Sequence, residues 1–197
     1  MNTKIDITLT PSLWRTCRAL ANLKRLRLFQ AMIDMPPQTV STLAMLCGLP
    51  VPVCSQYLRQ LDARGLCKAT RKSRWVFYHL ETDPKVRHSE AIEQAIASAL
   101  RGKTPQCRDN VFADLTAYTH PRRITIVHAL ASRKSVRFET LCSLCAISRL
   151  AMERHLEKLE HRSIVVIHDD DISLARPQSP LAKALLAVVA ATSLDAL

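Results

Sequence analysis

The sequence predicts a mainly α fold with small β-hairpin wings, built as two tandem copies of one small domain. Three observations predict it. Apolar residues recur at helical spacing through most of the chain. Each half then switches to a short strand, turn and strand. A shift of 98 positions lays one half on the other without a gap. In that register Thr42-Leu43-Ala44-Met45-Leu46-Cys47-Gly48-Leu49 falls on Thr140-Leu141-Cys142-Ser143-Leu144-Cys145-Ala146-Ile147, and Tyr57-Leu58-Arg59-Gln60-Leu61 falls on His155-Leu156-Glu157-Lys158-Leu159. Arg25, Ala31 and Arg64 fall on Arg123, Ala129 and Arg162. Apolar pairs such as Leu26/Ile124, Cys54/Met152 and Leu66/Ile164 keep their character, so the halves share a fold.

The elements of the first half follow in order. Thr10-Pro11 is a cap and a first-turn proline, and Leu13, Trp14, Cys17 and Leu20 form a helical stripe. Asn22 caps a second helix carrying Leu23, Leu26, Phe29, Ala31 and Met32, which Met35-Pro36-Pro37 ends. A third helix runs from about Val40 to Cys47, and Gly48-Leu49-Pro50 is a tight turn. Pro52 is tolerated in the first turn of a fourth helix, which reaches Ala63 and stops at Gly65. Leu66–Arg71 and Trp75–Leu80 are strands joined by Lys72-Ser73-Arg74, and His88–Leu100 is helical again. In the second half Val111, Phe112 and Leu115 mark the first helix, and His120-Pro121 opens the second. Ala146-Ile147-Ser148 joins the third and fourth, Ile164–Leu174 is the hairpin, and Pro180–Ser193 is the last helix. Helix, short turn, helix, hairpin is the order of a winged helix-turn-helix. The organisation read from it is one winged-helix domain over 1–100, a polar linker over 101–110 (RGKTPQCRDN) and a second over 111–197.

Composition narrows the function. The chain has 197 residues and a formal charge of +11, with 48% hydrophobic residues, enough for a packed core. Only 3 glycines are present, against roughly 14 at average usage. A Gly-rich phosphate loop or dinucleotide fingerprint is therefore not expected. Excess positive charge suits a polyanionic partner. The apolar run Ala184–Ala191 is eight residues, far short of the roughly 20 that span a membrane. No apolar signal core opens MNTKIDITLTPSLW, so a cytoplasmic location is expected. Seven scattered cysteines read as reduced, mostly buried thiols.

Several segments resemble the ArsR/SmtB-type bacterial repressors. Ala21-Asn22-Leu23-Lys24-Arg25-Leu26-Arg27-Leu28-Phe29 is similar to that family's ALADPTRLRIL opening, and Leu58–Leu66 to its HLAVLRRAGL segment. Arg74-Trp75-Val76-Phe77-Tyr78-His79-Leu80 is similar to its GRWVYYRL second wing strand. Thr119-His120-Pro121-Arg122-Arg123-Ile124 resembles the opening again, and Ser148–Leu156 the SQSTVSRHL recognition helix. The resemblance implies a winged-helix transcriptional regulator. The tandem copy departs from it, since typical members carry one such domain and dimerise.

The function expected is a DNA-binding transcriptional regulator, a repressor, with no enzymatic activity. In this fold the fourth helix faces the major groove, which puts Val51, Val53, Ser55, Gln56 and Arg59 toward DNA. Gln56 can pair with adenine, Arg59 with guanine or phosphate, and the valines offer only apolar contact. Lys68, Arg71, Lys72 and Arg74 put +4 in seven residues on the first wing, suited to phosphates. The second wing carries Asp169-Asp170-Asp171, which phosphate repels, leaving Ser148, Arg149 and Arg154 as that half's DNA residues. The first half has net charge +7 and the second +4. The alternative is a tandem winged-helix protein-interaction module with DNA binding absent or incidental, favoured by the acidic wing and the apolar helix tip.

No cofactor and no metal are expected. The family's third-helix Cys-x-Cys falls here on Thr39-Val40-Ser41, and His88, Glu90 and Glu93 are only a loose echo of its last-helix site. Cys142 and Cys145 sit on a helix, Cys145 matching Cys47, a core position. The partners expected are double-stranded DNA, no membrane, and an intramolecular pseudo-dimer of the two repeats formed through first and last helices, with a homodimer as the counter-case. There Leu13, Trp14 and Cys17 would face Val111, Phe112 and Leu115, and Ile92, Ile96 and Leu100 would face Leu185, Val188 and Val189.

Overall fold

A computed structural model describes residues 13–84, 86, 89–102 and 104–191. It is mainly helical, with two small antiparallel sheets. The first half runs α1 (Leu13–Leu20), α2 (Leu23–Met32), β1 (Gln38–Thr39), α3 (Val40–Cys47), α4 (Val51–Asp62), β2 (Lys68–Lys72), β3 (Trp75–His79) and α5 (Ser89–Leu100). The second half runs α6 (Pro105–Ala117), α7 (Pro121–Ala131), β4 (Val136–Arg137), α8 (Phe138–Cys145), α9 (Arg149–His161), β5 (Val165–His168), β6 (Asp171–Leu174) and α10 (Pro180–Ala191). The order of elements is the same in both.

Local chemistry sets most boundaries. Helix α1 buries Leu13, Thr16, Cys17 and Leu20, one face at i, i+3, i+4 and i+7. Asn22 starts α2 by accepting the Arg25 amide at 3.0 Å. Thr39 starts α3 by accepting from the Thr42 amide at 3.2 Å. Helix α3 ends on Gly48 at φ 61°, ψ 42°, the left-handed conformation that a residue without Cβ adopts at least cost. The repeat-mate is Ala146, at φ 52°, ψ 44° after α8, so the second half makes the same turn with an ordinary side chain. His120 starts α7, its Nδ1 accepting the Arg122 amide at 3.2 Å.

Each sheet has three strands, with the returning hairpin strand in the centre: β1-β3-β2 and β4-β6-β5. Gln38 pairs with Tyr78 and Thr39 with Phe77; Val136 pairs with Ile172 and Arg137 with Asp171. Both hairpins turn over two residues, Ser73-Arg74 between Lys72 and Trp75, and Asp169-Asp170 between His168 and Asp171. Ser73 and Asp169 take φ 55° and 54°.

The halves share one core. Helix α5 packs on α10, and α6 packs on α1, α2 and α5. Ile92, Ile96 and Leu100 are buried, as are Leu185, Val188 and Val189 and, on α1 and α6, Cys17, Val111 and Leu115. A buried polar bridge crosses the contact: Gln30 Nε2 donates to the Leu100 carbonyl, and Arg108 Nη1 donates to Gln30 Oε1, both at 2.7 Å.

The structure departs from the sequence reading in three places. The expected linker 101–110 is mostly helix: Thr104 accepts the Cys107 amide at 3.2 Å and Pro105 fills the first turn, so α6 starts there and the connection shortens to 101–104. Strands β1 and β4 were not expected. The first hairpin strand begins at Lys68 rather than Leu66, because the Leu66 amide closes the turn after α4 on the Leu61 carbonyl at 3.1 Å. Thr10-Pro11, His88 and residues 192–193 lie outside the described residues.

Candidate functional site

The twelve residues expected at DNA divide into groups with different surroundings. Val51 is exposed at the first turn of α4, Val53 and Ser55 are half-buried, and Gln56 and Arg59 are exposed. Ser55 Oγ accepts from Arg59 Nη2 at 3.1 Å. In the second half, Ser148 sits at the start of α9 without a capping bond, and Arg154 is exposed. Arg149 is occupied. It pairs with Glu139, reaches Glu153 at 3.3 Å, and stacks over Phe138 at 5.1 Å. Both carboxylates lie at the surface with it and offset its charge there.

On the first wing one cation also has a carboxylate partner. Antiparallel pairing sets Lys68 opposite His79, and so beside Glu81, with which it forms an ion pair. Glu81 also meets His79 Nε2 at 2.8 Å, and these two partners hold its carboxyl below the usual range. The remaining three cations stay at the exposed hairpin tip. Arg71 Nε donates to the Ser73 carbonyl at 3.2 Å and Arg74 stacks over Trp75 at 5.4 Å, while Lys72 is exposed. On the second wing Asp170 is structural, bridging to Arg137 at 3.0 Å.

The structure gathers a different set of residues around a cavity of about 900 Å³ in the first half. Arg15 and Arg18 come from α1, Arg25 from α2, Arg59 from α4 and Arg64 from the turn after it. Trp14, Ala19 and Ala63 supply apolar wall, and Gln56 and Gln60 supply amides. No carboxylate lines it among the described residues. Gln56 and Arg59 thus belong to this cavity, and Val51, Val53 and Ser55 do not.

Arg25 fixes the floor. Its Nε donates to the Ala19 carbonyl, Nη2 to the Arg18 carbonyl at 3.2 Å and Nη1 to Gln60 Oε1 at 3.0 Å, and its guanidinium lies over Tyr57 at 5.4 Å. Arg15 rests over the Trp14 ring at 5.1 Å. Partial burial, and then the Arg15 charge, push the Arg64 guanidinium below its usual range. Like charges are held together here without a counterion among the described residues lining the cavity, a stress that a bound anion relieves.

The second half repeats the cavity in altered form, with about 550 Å³ lined by Thr116, Arg123, Glu157, Lys158, His161 and Arg162. In the repeat register Arg123 and Arg162 correspond to Arg25 and Arg64, and Glu157 stands where Arg59 does. Arg123 is consumed by the Ala117 and Thr116 carbonyls and Thr119 Oγ1.

The cysteines are placed as packing residues. Cys17, Cys47, Cys54 and Cys67 are buried and Cys107, Cys142 and Cys145 half-buried. Burial pushes the Cys54 and Cys145 thiols up to about 11 and raises Cys17 and Cys67 as well, away from the reactive thiolate. No single helix among the described residues is long and apolar enough to cross a membrane.

Sequence reasoning missed Trp14, Arg15, Arg18, Arg25 and Arg64 as site residues. The available signal was Arg15 and Arg18 three apart on one helix, with basic residues at 25, 59 and 64.

No family model matches the chain, and no curated protein does. Among solved structures it is similar to human N-acetylserotonin methyltransferase in complex with SAM, with 13% identity over 67% of this chain and a TM-score of 0.32. The chain spans about half of that protein, 52% of its length. Two expectations are corrected by this finding. The expected DNA-binding regulator and the expected absence of enzymatic activity find no support in this comparison, whose structure is of an enzyme, and both are withdrawn. At this identity and TM-score the likeness gives this chain neither SAM binding nor methyl transfer.

Proposed function

We propose that the chain is a tandem winged-helix protein that binds a small anionic ligand in the arginine-lined cavity of its first half. The repeated order of helices around two three-stranded sheets supports the winged-helix reading, as does the resemblance to ArsR/SmtB-type proteins. The packing of α5 on α10 and of α1 on α6 supports an internal pseudo-dimer. The observation that carries the ligand reading is five guanidinium groups from three helices and a turn around one cavity with no lining carboxylate among the described residues. Guanidinium forks bind carboxylate and phosphate oxygens in pairs, and the cavity falls within the roughly 300–1,000 Å³ of small-molecule sites.

The test is calorimetric titration with inorganic phosphate and with citrate at low salt. Saturable binding by at least one anion, weakened in Arg18→Ala, is expected. Heats that never saturate, the same in protein and variant, would refute the reading.

A second reading concerns a partner only. Arg71, Lys72 and Arg74 project from the first wing, unpaired with any carboxylate among the described residues, and suit the phosphates of double-stranded DNA held by charge. Replacing all three by Ala should lower the salt slope of duplex binding by roughly 0.9 for each phosphate no longer neutralised. An unchanged slope argues against it.

A further inference from the structure

Resting on the reading of the cavity as an anion site, we infer that its ligand is an organic polyphosphate of the nucleoside triphosphate class, taken at one site per chain. Charge sets the first limit. The wall carries five arginines and, among the described residues, no lining carboxylate. One phosphate group brings roughly two negative charges at neutral pH, and leaves most of the wall uncompensated. A chain of three phosphates brings roughly four, close to balance once Arg25 is set aside for the floor. Arg15, Arg18, Arg59 and Arg64 are the four that remain, and each offers planar, paired donors to phosphate oxygens.

Shape sets the second limit. At about 900 Å³ the cavity is far larger than inorganic phosphate requires. Part of its wall is Ala19, Ala63 and the ring of Trp14, whose side chains offer an oxyanion a single indole N–H. The Trp14 face already carries a flat group, the Arg15 guanidinium at 5.1 Å. A planar base is the ligand part that replaces it there, by ring stacking, and Arg15 is then released toward the phosphates. Gln56 and Gln60 line the cavity from α4, Gln56 with its whole amide and Gln60 with its Nε2 as partners for the polar edges of a base.

The second half explains the count of one. Its cavity is smaller, about 550 Å³, and places Glu157 where the first half has Arg59. Thr116 stands for Arg18 and Ala113 for Arg15, while Arg123, like Arg25, is held by the backbone carbonyls beside it. The groove is the same, but the charge that would hold a polyphosphate is reduced and opposed.

Calorimetric titration of the full chain at low ionic strength tests this, with ATP, tripolyphosphate, inorganic phosphate and citrate as probes. ATP is expected to bind once per chain, at least tenfold tighter than phosphate or citrate, with tripolyphosphate between. Arg15→Ala/Arg64→Ala should weaken ATP tenfold or more, and Arg15→Lys/Arg64→Lys should restore part of it. Circular dichroism and the ligand-free unfolding midpoint check that the variants are folded. The rise in that midpoint on adding ATP gives a second, independent reading of binding. Glu157→Arg should add a second, weaker site. Failure of every anion to bind overturns both the anion site and its ligand. Phosphate or citrate binding as tightly as ATP leaves the anion site standing and overturns the polyphosphate assignment. Two ATP per wild-type chain overturns the single site, and a ratio still at one in Glu157→Arg overturns the role given to that carboxylate.

Discussion

Exchanging the residues that end α3 and α8 should move stability in opposite directions. Gly48 and Ala146 occupy the same left-handed turn, at φ 61° and 52°. A Cβ built on Gly48 has nothing within 4 Å, so Gly48→Ala changes backbone strain without a clash. Ala146 is exposed, so Ala146→Gly gives up little packing. An L-residue in the left-handed region costs about 1–2 kcal/mol. Glycine returns about 0.4–1 kcal/mol of that through the greater freedom of the unfolded chain. The net is about 1 kcal/mol, a loss in Gly48→Ala and a gain in Ala146→Gly. For a chain of this size that moves the unfolding midpoint by roughly 2–4 °C each way. Urea melts followed by far-ultraviolet circular dichroism read it, and the slope should stay constant while the midpoint moves. The double variant should return to the wild-type midpoint, since the two turns lie in separate halves. If Ala146→Gly lowers the midpoint, the strain assigned to that turn is wrong.

Three further outcomes are expected. Gln30→Met keeps the side chain's volume but strands the Leu100 carbonyl and the Arg108 guanidinium, and should cost about 1–3 kcal/mol in urea unfolding; a neutral effect would mean that the bridge contributes nothing. His155 is held down to about 4 by burial and then by His120 and nearby arginines, so the fold prefers it neutral while the unfolded chain takes up a proton below about 6.5. Stability should therefore fall as pH drops from about 6.5 toward 4, and His155→Tyr, which installs the residue of the first half, should flatten part of that fall; equal pH profiles for the two proteins would contradict it. Sedimentation equilibrium at micromolar protein should give a 22.1 kDa species, whereas a stable species of twice that mass would mean that the chain still pairs with a second copy.

How far the sequence could be read depends on the range of the forces involved. Helix α3 was legible to the residue, because Thr39 and Gly48 act on their immediate neighbours. The hairpins were legible from β-branched and aromatic runs around short polar turns. Strands β1 and β4 were not, because two residues carry no period and their pairing partners lie 34–40 positions away. The start of α6 was obscured by a polar, Pro-containing stretch that reads as linker, although Thr104-Pro105 is also a helix start. The expected wing charge was overstated because Lys68 and Glu81 are 13 apart in sequence and meet only through strand register. The cavity lay furthest from view. Its arginines come from positions 15 to 64, and no local pattern says that α1 and α4 will set them around one space.

A symmetric pair of separate chains must satisfy every contact twice, because each substitution occurs in both members. Here α5 packs on α10 and α1 on α6 within a single polypeptide, and a change in one half leaves the other untouched. Each copy is then free to drift from its twin while the joint surface is kept. The record of that drift is visible in paired positions: Arg59 against Glu157, Gly48 against Ala146, Tyr57 against His155, and a basic hairpin tip against an acidic one. Covalent fusion also makes the pairing independent of protein concentration, so the two halves stay together on dilution that would separate a dimer. Specialisation of one copy needs no second gene and no device to keep unlike partners from mixing.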